Sequence, residues 1–181
     1  GHRSEHHPKS KIRSMKYIGR LMTGLLVLVA VAVSSAIAWA FTAGGLSATG
    51  AHFAIAVGAA AGLLTAWFTQ DEKTSTLTAW DVLLLVLFSL ASLRSFIWLI
   101  YSVGDEWRVL SPNNLGDISI HIQFIRYLAS GVGFWPESPI LSGSPLVYPL
   151  GMDLWNSLLL LSGLPVERGL IWTGLIGAVL T

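Results

Sequence analysis

DISIHIQFIRYLAS, residues 117–130, is the stretch whose reading decides the fold. Read as a strand, Ile118, Ile120, Ile122 and Phe124 alternate with Asp117, Ser119, His121 and Gln123. Read as a helix, Ser119, Gln123, Arg126 and Ser130 fall on one narrow polar stripe. The helix accounts for all fourteen residues, the strand only for the first eight. Asp117, directly after Gly116, is a good N-cap, and Gly131 is a good stop. The pattern therefore predicts a helix over 117–130, lying at a membrane surface with its polar stripe in water.

On that helix Asp117 and His121 stand four residues apart and share a face. The same face carries Phe124 and Leu128, so the Asp–His pair points toward protein or membrane. An ionisable pair there is costly, and costly placements mark functional candidates. The structural alternative is that Asp117 only caps the helix and His121 is a satisfied interfacial histidine. Spacing alone leaves both readings open.

The surroundings of this stretch set the class of protein. Of 181 residues, 53% are hydrophobic and 12% charged, and the chain has no cysteine. Soluble domains carry about 25% charged residues, so the composition points to a membrane protein without disulfides or thiolate metal sites. Its mean hydropathy of +0.64 agrees. Six of the eleven basic residues (Arg3, Lys9, Lys11, Arg13, Lys16, Arg20) fall in the first twenty positions. Such an arm can bind nucleic acid, but its place beside an apolar run reads more simply as a cytoplasmic anchor, and no nucleic-acid partner is expected.

Three spans are expected: about Leu21–Phe41, Ala51–Thr69 and Val82–Tyr101. The turn TAGGLSATG (42–50) joins the first two, and the polar QDEKTSTLTAWD (70–81) joins the second to the third. The Ala- and Gly-rich AVGAAAGLL of the second span suits close helix packing. Trp80, Trp98 and Tyr101 lie where an aromatic belt belongs. With residues 1–20 inside as a basic arm and 21–101 crossing three times, residues 102–152 form a long external loop. Loops of that length are usually functional. Within it, the four prolines and the glycines of GFWPESPILSGSPLVYPLG (133–151) specify a defined irregular loop.

Beyond it, MDLWNSLLLLSGLP (152–165) is short for a span of about 20 residues. It is either a re-entrant or interfacial helix, or continuous with the segment after Pro165. Residues 153–181 are read as a fourth membrane segment, starting near Asp153 or near Gly169. The apolar run ending at Thr181 looks unfinished, so the chain is expected to be the N-terminal part of a longer polypeptide. The architecture expected is all-α: a polytopic transmembrane helix bundle with an interfacial helix in an external loop.

The remaining chemistry is sparse. Asp105, Glu106, Trp107 and Arg108 open the loop and read as a solvated boundary. Arg94, inside the third span near its outer end, either snorkels or faces the bundle to bind an anion such as a lipid phosphate. Phe134, Trp135 and Tyr148 suit either a membrane interface or the face of a sugar.

The run GDISIHIQFIRYLASGVGFWPESPILSGSPLVYPLG resembles the first external loop of the GT-C superfamily, the integral membrane glycosyltransferases that use polyprenyl-phosphate sugars. The matching parts are Asp117, the helix to Ser130, Gly131, Pro136, Gly143 and the Tyr148–Pro149 step. The resemblance covers about forty residues plus the third span. It departs from the family where Ile118 follows the acid, a position often held by Glu, and in the two spans that precede the matching one.

What the resemblance implies is sugar transfer at the outer membrane face from a lipid-linked sugar phosphate. Asp117 would deprotonate or orient the acceptor hydroxyl, or ligate a divalent metal together with His121. Inverting transfer needs one base opposite the leaving group, and a phosphate leaving group needs cations to take up charge. Arg94, Arg108, Arg126 and His121 are the candidates, with Tyr148 as a further substrate contact. The partners implied are membrane lipid and a polyprenyl-phosphate sugar, and the location implied is a bacterial inner membrane. The competing reading is a non-catalytic subunit packed against other membrane subunits.

Overall fold

The computed structural model describes residues 9–69, 78–110 and 115–180. Among these the chain forms six helices and one two-stranded hairpin, in the order α1 (Lys9–Ala43), α2 (Ala48–Phe68), α3 (Ala79–Ile97), β1 (Tyr101–Val103), β2 (Glu106–Arg108), α4 (Leu115–Ala129), α5 (Gly151–Leu161) and α6 (Val166–Leu180). Three helical segments, Gly19–Ala43, Ala48–Phe68 and Ala79–Ile97, are long and apolar enough to cross a membrane. The basic arm is helical from Lys9 and runs without a break into the first of these.

Small residues hold α1 against α2. Gly58 and Gly62 lie one turn apart on α2, and their missing side chains let the backbones meet. A Cβ at Gly58 would stand 2.5 Å from the Leu28 carbonyl oxygen, and one at Gly24 would stand 2.7 Å from that of Gly62. Ala32, Ala36 and Ala40, four apart on α1, are fully buried with Ala51 and Ala54 of α2. This is the close approach that small residues at helical spacing permit in lipid, where apolarity alone gives helices no reason to associate. The link between the two helices is short: Ser47 caps α2 by accepting the Gly50 N–H at 3.1 Å.

A capping box starts α3, three residues earlier than the apolar run alone indicates. The Asp81 carboxylate accepts the Thr78 N–H at 2.8 Å, and the Thr78 hydroxyl accepts the Asp81 N–H at 3.3 Å, which satisfies two otherwise orphaned donors. The helix ends at Ile97 rather than at Tyr101. Tyr101 instead pairs with Arg108 in the β1–β2 hairpin. The turn of that hairpin is Gly104–Asp105, with Gly104 at φ +61°, the left-handed conformation a tight hairpin accepts most readily from glycine. Hydropathy alone places Tyr101 at the end of the third span and the rest of this stretch in the external loop.

The core forms where α4, α5 and the loop between them meet one end of the α1–α2 pair. Phe124 and Leu128 of α4, Leu146 and Leu150 of the loop, and Leu154, Trp155 and Leu158 of α5 are buried against Ala32, Ala36, Ala40, Leu46, Ala51 and Ala54. The loop is irregular and internally bonded, as its prolines require. The Leu146 N–H donates to the Pro136 carbonyl at 3.0 Å, the Ser138 N–H to that of Ser144 at 2.8 Å, and the Trp135 indole N–H to that of Leu146 at 2.8 Å. Gly45 packs against the carbonyl of Gly131 with no room for a side chain, and the rings of Phe41 and Phe134 meet edge to face at 5.4 Å. The start of this loop therefore sits at the same end of the molecule as the α1–α2 turn.

Residues 153–181 are not one continuous helix. Gly163, at φ +95°, turns the chain between α5 and α6, and Pro165 precedes the new start. Eleven residues in α5 span about 16 Å at 1.5 Å per residue, half of a hydrocarbon core of about 30 Å.

Candidate functional site

Helix α4 carries its two faces as the periodicity requires. Ser119, Gln123, Arg126 and Ser130 are exposed, while Ile118, Phe124, Ile125 and Leu128 are buried. The helix begins at Leu115, so Asp117 lies within the first turn and is not its N-cap. A carboxylate in the first turn is still favoured there by the positive end of the helix dipole. Gly131 adopts φ +82° and ends the helix as expected.

His121 does not turn to Asp117. Its Nδ1 lies 2.7 Å from Oδ1 of Asp153, the third residue of α5. Asp153 has no exposed surface, whereas His121 keeps 22% of its side chain exposed. The second carboxylate oxygen, Oδ2, is buried without a hydrogen-bond partner. Burial pushes the Asp153 carboxyl above its ordinary range, and the hydrogen bond and charge of His121 oppose that rise. The Nε2 atom of His121 has no partner among the described residues and is not among the enclosed atoms. The Tyr148 ring stands between α4 side chains, with its centroid 6.0 Å from that of His121 and 5.1 Å from that of Phe124.

Neighbouring polar residues of α5 secure its place. The Ser157 hydroxyl is buried within reach of two carbonyl oxygens, Ile125 on α4 at 2.9 Å and Asp153 one turn back at 2.7 Å. Asn156 donates to the Met152 carbonyl at 2.9 Å and accepts from the Thr173 hydroxyl of α6 at 3.2 Å. Gly169 lets α6 come this close, since a Cβ there would stand 2.8 Å from Asn156 Oδ1. Asp153, Asn156 and Ser157 thus form one buried polar patch on an otherwise apolar helix. Such groups are kept only where each finds a partner, which makes the unpartnered Asp153 Oδ2 the exception.

The other candidate residues lie elsewhere. Asp117 is exposed at the end of α4, one turn from His121 and on the same side. The Arg126 guanidinium lies over the Trp107 ring at 4.9 Å, and the two form an open cleft with Asp105. Arg108 is exposed and pairs with Glu106 at 3.3 Å, a contact of little energetic weight at the surface. Arg94 is exposed in the last turn of α3. The structure thus brings together His121, Asp153 and Tyr148, with Asp117 beside them, and leaves Arg94 and Arg108 apart from that group.

Among the described residues no three metal-ligating side chains converge, and Nδ1 of His121 is already engaged by Asp153. The residue that the sequence reading did not assign is Asp153. Its signal is a charge inside the apolar run MDLWNSLLLL, a placement that by default marks a functional candidate.

No protein-family model, curated protein or solved structure matches the chain.

Proposed function

We propose that the chain serves in a GT-C-like integral membrane glycosyltransferase, moving a sugar from a polyprenyl-phosphate donor to an acceptor hydroxyl at the external face. The observation that carries this reading is the state of Asp117. On its helix face Phe124 and Leu128 are buried, yet this carboxylate stays open to solvent one turn from a half-buried histidine pinned by a buried acid. An accessible carboxylate there can accept or orient the acceptor proton, in the place the resemblance assigns to the family's acid. Helix α4 lies along the outer surface of the helix bundle as an interfacial helix, with its exposed polar stripe in water.

The orientation proposed has the N-terminus in the cytoplasm of a bacterial cell and the protein in its inner membrane. It is supported by the basic arm beside the first span and by the packing of the 131–134 stretch on the α1–α2 turn, which puts both at one end. The chain has no native cysteine, so a Ser142→Cys variant reports cleanly. It should react with an impermeant maleimide added outside intact cells. Reaction only after the cells are opened refutes the orientation.

The test of the catalytic assignment is Asp117→Asn in membranes carrying the protein and a polyprenyl-phosphate sugar. The amide keeps the shape but lacks the basic lone pair, and transfer should fall by about 10²–10⁴-fold. A wild-type rate ends the assignment.

A second reading is favoured by α3. None of its residues is fully buried, and apart from the side that meets α6, where Phe96 lies against Gly174, its apolar surface is open to lipid or to other membrane subunits. In that reading the chain is a non-catalytic subunit, and Asp117→Asn is silent.

A further inference from the structure

We infer that the His121–Asp153 pair is a hydrogen-bond donor for a phosphate group, with Asp153 as the positioning residue and His121 Nε2 as the atom that meets the ligand. The choice of phosphate among anions rests on the glycosyl-phosphate reading above. The donor role rests on the geometry of the pair alone.

A carboxylate with no exposed surface and one oxygen without a donor is expensive as an anion unless a cation stands beside it. Among the described residues the imidazole 2.7 Å away is the side chain in place to offset it, beside the weaker help of the α5 N-terminus, whose first turn Asp153 occupies. The affordable state of the pair is therefore neutral overall. One proton lies between Oδ1 and Nδ1, whichever atom holds it, and a second resides on Nε2. The alternative, an ionised Asp153 beside a neutral imidazole with a bare Nε2, leaves a net buried charge. In the neutral-pair state Nε2 carries a hydrogen and has no partner among the described residues to give it to.

The position suits an anionic oxygen. The ring is held on one side by Asp153 and has Tyr148 beside it, and Nε2 is the ring nitrogen left for a ligand. Fixing one imidazole nitrogen to define the role of the other is the general use of a carboxylate–histidine pair. Asp117 lies one turn away with the opposite task, accepting a proton. In transfer, the acceptor oxygen would form its bond to the anomeric carbon and give up its proton to Asp117. The bond from that carbon to the phosphate oxygen would break, with its electron pair leaving on the phosphate, where the Nε2–H meets the growing charge.

The experiment uses the full chain in detergent micelles with ¹⁵N-labelled histidine, and the His121 ring signals are assigned by their loss in His121→Gln. The probes are farnesyl phosphate and inorganic phosphate. At neutral pH, Nε2 should carry a proton, and its resonance should move on adding farnesyl phosphate. His121→Gln should weaken farnesyl phosphate binding about tenfold, the scale of a lost hydrogen bond to a charged group. Asp153→Leu, which cannot bond to Nδ1 at all, should weaken binding as well and should let the His121 ring exchange between its Nε2–H and Nδ1–H forms, an effect that a purely structural role would not produce. A bare Nε2 at neutral pH in the wild-type protein overturns the inference, as does unchanged affinity in His121→Gln. Because His121 is partly exposed, its variant decides the matter even if Asp153→Leu does not fold. Equal binding of inorganic and farnesyl phosphate supports the donor role and counts against a lipid-linked ligand. Binding through His121 without sugar transfer keeps this inference and removes the glycosyltransferase reading.

Discussion

Two helix contacts in this molecule are built on opposite principles. The α1–α2 seam is made from Gly24, Gly58, Gly62 and a column of alanines, and it brings backbones together. The α4–α5 contact places Asp153, His121 and Ser157 between helices and brings polar side chains together. The seam is what packing in lipid favours, since small side chains give up little and allow dispersion contacts over the whole length. The α4–α5 contact burdens the core with a carboxylate whose second oxygen has no partner. Apolar replacements are often as stable or more so at such places. The difference sets a seam of small residues beside a contact whose polar pair carries the role proposed above.

The strongest way to break this comparison is to remove one partner of the polar contact. His121→Ala leaves Asp153 buried without its counter-group, and loss of one partner of a buried pair costs about 3–5 kcal/mol. Thermal unfolding in detergent should show that loss, near the lower end because His121 is partly exposed. Replacing both His121 and Asp153 with leucine should restore most of the stability. If the double variant is no more stable than His121→Ala, the pair is part of the scaffold and not a burden on it.

A smaller effect is expected at the seam. Gly62→Leu forces a side chain into the backbone of Gly24, and overpacking of this kind typically costs about 1–3 kcal/mol. The same measurement applies, and a wild-type unfolding temperature would mean that α1 and α2 are not held by this approach.

The smallest effect is a dependence on pH. Burial raises the Asp153 carboxyl in the folded state, so the fold binds this proton more tightly than the unfolded chain does. Its stabilising contribution is complete below the ordinary carboxylate range and is lost as pH rises through the raised folded-state value. Asparagine cannot titrate. The unfolding temperature of Asp153→Asn relative to wild type should therefore shift in the variant's favour between acidic and neutral pH. A constant difference would show that burial does not raise this group.

Much of the scaffold is legible in the sequence because it depends on local patterns. Apolar runs of about 20 residues mark helices able to cross a membrane whatever they touch, and all three appear where the runs lie. The stripe Ser119, Gln123, Arg126, Ser130 fixes α4 and its exposed face, since a helix presents every third or fourth residue to one side. Gly131 and the prolines after it fix where that helix stops and the irregular loop begins. The ends of elements follow less well. The capping box at Thr78 starts α3 early, and the Gly104 turn draws Tyr101 into a hairpin. Each depends on a few side-chain and turn contacts that override the apolar count.

The partner of His121 lay beyond any local pattern. Asp117 is its neighbour by helical spacing, yet Asp153, 32 residues later in the chain, takes the bond. Helical periodicity states which side of α4 His121 occupies. Only the docking of α5 on that side decides which acid meets it, and that docking depends on Phe124, Leu128, Leu154 and Leu158 burying together against the alanines of α1 and α2. Sequence determined the helices and their faces because backbone geometry repeats every 3.6 residues. Tertiary structure alone decided the acid–histidine pair, because side chains this far apart meet only when the apolar surfaces that carry them are brought together.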